Sequence, residues 1–223
     1  LAMELVRGRT LSGWRREQHP WRQTVEVFLQ AAHGLAAAHA AALVHRDFKP
    51  DNCILGEGGR VRVVDFGLAR QVGRADPART GTTTEEEPAP APTPTPAPSS
   101  RPGRLLDARV TREGAVLGTV GYMSYEQLRG EPADARSDQY SFCASLFEAI
   151  HGVRPYEGAT PVALLGAMMS GERVPPKLRV PRRLRRAIER GLCREPAERW
   201  PSMNALVAEL EAVVRRDRWR SRG

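Results

Sequence analysis

The sequence predicts a mainly α-helical domain that carries one small β-hairpin. Three observations lead there. Val25, Phe28, Leu29, Ala32, Leu35 and Ala36 recur at three- and four-residue steps within residues 20–42, the period of an amphipathic helix. Residues 137–150 are largely apolar and are closed by Gly152, as in a helix buried on most of its faces. The strands Cys53-Ile54-Leu55 and Arg60 to Val64 flank Gly56-Glu57-Gly58-Gly59, a glycine-rich turn.

In chain order, Leu1 to Val6 reads as a buried strand that enters a polar linker, Arg7-Gly8-Arg9. Thr10 to Trp14 begins a short helix, and the long helix follows over residues 20–42. His33 and His39 on that helix read as packing or surface residues, because no acidic cluster accompanies them to make a metal site. Beyond the hairpin, residues 71–114 lose all periodicity. Thr82-Thr83-Thr84-Glu85-Glu86-Glu87 precedes a Pro/Ala/Thr tract, which cannot bury enough apolar surface to offset the entropy of ordering. Further helices are expected over residues 137–150, 161–169, 182–192 and from about 202 to 214, ahead of a basic closing run, 215–222, read as solvated.

Composition narrows the classes of function. The 223 residues carry a net charge of +8, which raises nucleic acid and anionic membranes as partners. The positive charge is almost all arginine, Lys49 and Lys177 being the two lysines, and with abundant Ala and Pro this reads as compositional bias. No nucleic-acid partner is expected, and membrane contact only through flanking segments. Cys53, Cys143 and Cys193 are odd in number and widely spaced, which argues against a disulfide framework or zinc site and for a cytoplasmic location. Ala31 to Val44 is too short and too polar to span a bilayer.

The chemistry concentrates in Val44-His45-Arg46-Asp47-Phe48-Lys49-Pro50-Asp51-Asn52. An acid, a cation and an amide stand within six positions, and Pro50 forbids helix continuation. Eighteen residues after Asp47 comes Asp65-Phe66-Gly67, closing the second hairpin strand. Phosphoryl transfer needs an acceptor for a hydroxyl proton, a cation near the migrating charge, and hard oxygen ligands for magnesium. Asp47, Lys49, Asn52 and Asp65 are residues of those types.

These two motifs resemble the eukaryotic-type Ser/Thr protein kinase family as found in bacteria. The resemblance implies Asp47 as catalytic base, Lys49 as transition-state stabiliser, and Asn52 and Asp65 as Mg²⁺ ligands. It implies ATP as phosphoryl donor and protein Ser or Thr hydroxyls as acceptors. Thr119, in Gly118-Thr119-Val120-Gly121-Tyr122-Met123-Ser124-Tyr125-Glu126, would hydrogen-bond near Asp47 and Lys49. Met3 would be the gatekeeper, the Glu4 to Val6 backbone would hold adenine, and Ile54 would form its floor. Asp138 would brace the loop containing His45 and Arg46. Glu126 would pair with Arg199 of the Arg-Trp-Pro turn, Ser124 and Tyr125 replacing the usual alanine and proline. Arg46 would receive a phosphorylated residue of the activation segment, at Thr111 or within Thr80 to Thr84.

The implied fold is the large C-terminal lobe of a protein kinase, with residues 1–9 as hinge remnant, residues 10–223 as the lobe, and 71–114 as an insertion in the activation segment. No glycine-rich phosphate cover is seen, and neither lysine can be the strand lysine that grips nucleotide phosphates. The N-terminal β lobe is therefore expected to be absent from this stretch, and the stretch alone inactive. The rival reading is a pseudokinase or scaffold presenting the Pro-rich segment.

Overall fold

The structure, a computed structural model, describes residues 7–66 and 120–220. Met3, Glu4, Val6, Gly67, Thr111 and Thr119 lie outside the described residues, as do the expected strand 1–6 and the insertion 71–114.

A three-stranded antiparallel sheet, β1 (Gly8–Thr10), β2 (Cys53–Gly56) and β3 (Val61–Val63), is ordered β1-β2-β3. The hairpin is as expected; β1 corrects the polar-linker reading of residues 7–9. It pairs Gly8 with Gly56, Arg9 with Leu55 and Thr10 with Ile54. A Cβ on Gly8 would stand 2.3 Å from the Leu55 carbonyl oxygen, so only glycine permits this approach. Cross-strand hydrogen bonding thus places a segment with no apolar alternation.

Thr10 caps α1 (Leu11–Trp14), its Oγ1 accepting from the Gly13 N–H at 3.1 Å. Helix α2 (Trp21–Ala40) buries Val25, Phe28, Leu29, Ala32, Leu35 and Ala36, the residues its period singled out. It lies against β3, where Val63 would be 3.2 Å from a Cβ on Gly34.

Helix α3 (Tyr125–Leu128) is one turn long, and α4 (Ala135–His151) runs through the centre of the core. The expected start at Ser137 moves back two residues, because Asp134 is the cap and accepts from the N–H groups of Arg136 and Ser137. Every residue from Ser137 to Glu148 is buried. The serines on this helix satisfy themselves on carbonyls, Ser145 donating to Ser141 and Ser141 to Tyr122, both at 2.8 Å. Gly152, at φ 69°, ends the helix in the left-handed conformation.

Helices α5 (Pro161–Ser170), α6 (Arg182–Gly191) and α7 (Met203–Arg220) complete the domain. Gly191 lets α6 press on α4, since a Cβ there would meet the Cys143 sulfur at 2.2 Å. Burial pushes the Cys143 thiol up to about 12. Helix α7 packs along α2 and continues six residues past the expected end at Val214, so the basic run read as solvated is helical to Arg220. All three cysteines are free, and no described helix is long and apolar enough to cross a membrane.

Candidate active site

Helix α2 ends at Ala40, Ala42 takes a left-handed φ of 56°, and the chain turns into the loop 44–52. Arg46 is also left-handed, at φ 67°. For a non-glycine residue such a conformation costs roughly 1–3 kcal/mol and persists only where its surroundings impose it. Asp138, from the core of α4, supplies the constraint. Its two oxygens accept from the His45 N–H at 2.8 Å and the Arg46 N–H at 2.7 Å. Asp134 caps the helix, and Asp138 braces the loop, as the resemblance implies.

His39, expected as a packing or surface residue, packs against this carboxylate. Its Nε2 lies 2.8 Å from Asp138 Oδ2, so this histidine completes the shell around the buried carboxylate. His39 and His33 share one helix and similar neighbours in sequence, and only the partner across the fold distinguishes them.

His45 ties the loop to the hairpin. Its Nδ1 accepts from the Asp47 N–H at 3.3 Å, which puts the ring proton on Nε2, where it donates to the Val64 carbonyl at 3.0 Å. The ring also packs on Phe66 and Phe48, at centroid distances of 4.6 and 6.0 Å. A second tie runs from the Val64 N–H to the Asn52 carbonyl at 2.9 Å. Asp65 follows directly, exposed and left-handed at φ 64°.

Within the loop, Lys49 Nζ stands 2.9 Å from Asp47 Oδ2. The Asn52 amide nitrogen donates to the Asp47 carbonyl at 2.8 Å and approaches Asp47 Oδ2 at 3.4 Å. Its amide oxygen accepts no hydrogen bond from a described residue. That oxygen and the Asp65 carboxylate are hard oxygen donors, of the kind magnesium takes. No group of three or more His, Cys, Asp or Glu side chains with metal-binding placement occurs among the described residues. Ile54, the proposed adenine floor, sits half-buried on β2 opposite Arg62.

The family model described as Protein kinase domain matches residues 1–91, and that described as Protein tyrosine and serine/threonine kinase matches residues 105–210. The chain belongs to the protein kinase family. Similar proteins include a probable serine/threonine-protein kinase of Corynebacterium efficiens, 30% identical over 96% of this chain and 29% of that protein. The serine/threonine-protein kinase PknL of Mycobacterium tuberculosis is 32% identical over 96% of this chain and 47% of its own length. PknB of Mycolicibacterium smegmatis is 31% identical over 96% of this chain and 30% of its length. The chain thus spans less than half the length of these relatives.

The kinase segment before α4 is held by a buried ion pair. Arg199 meets both oxygens of Glu126 at 2.8 Å, and Ser137 Oγ donates to Glu126 Oε1 at 2.6 Å. The remaining Arg199 donors go to the carbonyls of Cys193, Arg136 and Arg194 at 2.8, 2.9 and 2.9 Å, so all five are used. Burial works to raise the Glu126 pKa, but the Arg199 hydrogen bonds and charge, with Ser137, outweigh it and hold the carboxyl below the usual range.

The Ser124-Tyr125 departure from the family pattern has its own supports. Gln127 Oε1 accepts from the Ser124 N–H at 3.1 Å and from its hydroxyl at 3.0 Å. The Gln127 amide nitrogen donates to the Arg46 carbonyl at 2.7 Å, joining this segment to the loop 44–52. Tyr125 lies between the guanidiniums of Arg129 and Arg194, 5.6 and 5.4 Å from its ring centroid. Gln127 was missed in the sequence; its position one residue after Glu126 was the available signal.

Proposed function

We propose that the full-length protein is an ATP-dependent Ser/Thr protein kinase. Asp47 orients a substrate hydroxyl and accepts its proton. The hydroxyl oxygen bonds to the γ-phosphorus as the bond from that phosphorus to the bridging oxygen of ADP breaks. Lys49, drawn to the same carboxylate, places its ammonium beside the developing charge. Asn52 and Asp65 would hold Mg²⁺, which would neutralise phosphate charge. Met3, the Glu4 to Val6 backbone and Ile54 take the adenine, and Thr119 steadies Asp47 and Lys49.

The observation that carries this reading is the hydrogen-bonded array of Asp47, Lys49 and Asn52, tied through His45 to Val64, the residue preceding Asp65. Arg46 fits the regulatory role, since its Nε is buried without a partner among the described residues. Its partner is a phosphorylated threonine, Thr111 or one of Thr80 to Thr84. The free cysteines, two of them buried, suit a reducing compartment, and we place the domain in the cytoplasm.

The test is phosphate transfer from MgATP to a Ser/Thr peptide by purified full-length protein and its Asp47→Asn variant. The variant should lose roughly 10²–10⁴-fold in kcat, the usual contribution of a positioned base. Equal incorporation by the two proteins would remove Asp47 from the mechanism. Phosphate mapping in the same samples should place autophosphorylation between residues 71 and 119, and its absence there would remove the role of Arg46.

A further inference from the structure

We propose that the groove between α6 and α7 is a docking site for a phosphorylated peptide segment, read through a phosphoserine or phosphothreonine. The groove is open, has a volume of about 500 Å³ and is lined by five arginines, one glutamate, Ala187 and Trp200. Arg182, Arg186 and Arg190 stand at successive four-residue steps along α6 and so form one stripe. Arg216 faces them from α7.

The site is built rather than merely basic. Trp200 is fixed as its apolar floor, its indole N–H donating to the Ala187 carbonyl at 3.1 Å and its backbone N–H to Gln139 at 2.8 Å. Arg190 lies over the indole at 4.3 Å and reaches the carbonyls of Glu198 and Arg199 at 3.4 Å. Glu209, the one acid in the wall, has both oxygens engaged by Arg183. Arg182 and Arg186 are exposed and make no hydrogen bond or ion pair with a described residue. Their planar guanidiniums are suited to a phosphate monoester, which they can meet through paired N–H donors.

Shape and charge select a peptide over an extended polyanion. A concavity of this volume admits a phosphorylated side chain and its neighbours, with the apolar floor covering the peptide backbone. The proposal rests on the kinase reading for the source of its ligand, since that reaction makes phosphoserine and phosphothreonine. The site also adjoins the reaction machinery: Trp200 follows Arg199, Arg199 holds Glu126, and Gln127 holds the catalytic-loop carbonyl.

The test measures binding of a fluorescein-labelled phosphothreonine peptide and its unphosphorylated twin to the 223-residue chain, so it needs no catalysis and its failure leaves the kinase reading intact. The phosphopeptide should bind at least about tenfold more tightly than its twin. The double variant Arg182→Glu, Arg186→Glu should abolish that preference, whereas Arg16→Glu, Arg60→Glu, with the same change in net charge outside the groove, should change it less than about twofold. Unchanged thermal melts establish that both variants fold. Equal binding of the two peptides, or equal losses in the two variants, would overturn the proposal. So would groove-dependent binding to phosphatidylserine vesicles or a single-stranded oligonucleotide without phosphopeptide preference.

Discussion

Lys49 meets Asp47 at 2.9 Å and Arg199 meets Glu126 at 2.8 Å, yet the side chains of the first pair are 19% and 22% exposed and those of the second 0% and 7%. The partly exposed pair sits on a loop with a left-handed arginine, where the proposed reaction needs its oxygens within reach of a substrate. The buried pair is saturated: five guanidinium donors, two carboxylate oxygens and a serine hydroxyl are all consumed. Equal separation therefore says little about what an ion pair does. Water access and the remaining hydrogen bonds decide whether it holds the fold or stays ready for chemistry.

The largest expected effect comes from breaking the buried pair. Arg199→Ala strands Glu126 in the core and should cost about 3–5 kcal/mol, read as a lower urea midpoint. Lys49→Ala should cost less than about 1 kcal/mol while reducing phosphate transfer. Comparable losses of stability from the two substitutions would erase the distinction between the pairs.

Protons can break the same clamp. Because the folded Glu126 pKa lies below its ordinary value of 4.5, its contribution to stability is fully present above that value. It is lost as pH falls through the depressed folded pKa. Glu126→Gln should therefore flatten the acid limb of a stability-against-pH curve below about pH 4.5 and leave the slope near neutrality unchanged. An acid limb identical to that of the native chain would mean Glu126 does not bind its proton differently on folding.

Asp138 lies between the two extremes, buried like Glu126 but bonded to the working loop. Asp138→Asn retains one acceptor and turns an amide toward the N–H groups of His45 or Arg46, at an expected cost of about 1–3 kcal/mol. Since Arg46 would lose its constraint, kcat should fall in the full-length protein with little change in peptide KM. A KM effect alone would place Asp138 on the substrate side.

How much of this was legible follows from which interactions are local. Helix α2 and the core helix α4 could be read from period and apolar content, and the hairpin from its glycines, because those signals reside in neighbouring residues. Strand β1 could not, since Arg9 and Thr10 gain their conformation from β2 across the sheet. The acid, lysine and amide of the loop were identifiable as residue types, and the family resemblance supplied Asp138, Glu126 and Arg199. The site contacts of His39 and Gln127 are long-range: His39 reaches a partner 99 residues away and Gln127 one 81 residues away, so for Gln127 only its place beside Glu126 pointed to a role. The arginines of α6 read as compositional bias because a helix stripe becomes a groove only when α7 closes the other wall.

The smallest effect tests whether Ser124-Tyr125 weakens the segment that the family usually builds with Ala-Pro. Ser124 is the N-cap of α3, so Tyr125 occupies the first helical position, where proline is tolerated and its missing N–H sacrifices no helical bond. Tyr125→Pro should keep the turn and remove two cation–π contacts, worth about 0.5–1 kcal/mol each at partly exposed sites. Proline returns about 0.4–1 kcal/mol by restricting the unfolded chain. The net change should therefore lie within about 1 kcal/mol of zero, measured by urea unfolding. A loss above about 2 kcal/mol would show that the tyrosine organises the segment through more than its two arginines, and that the Arg199 clamp alone does not fix its shape.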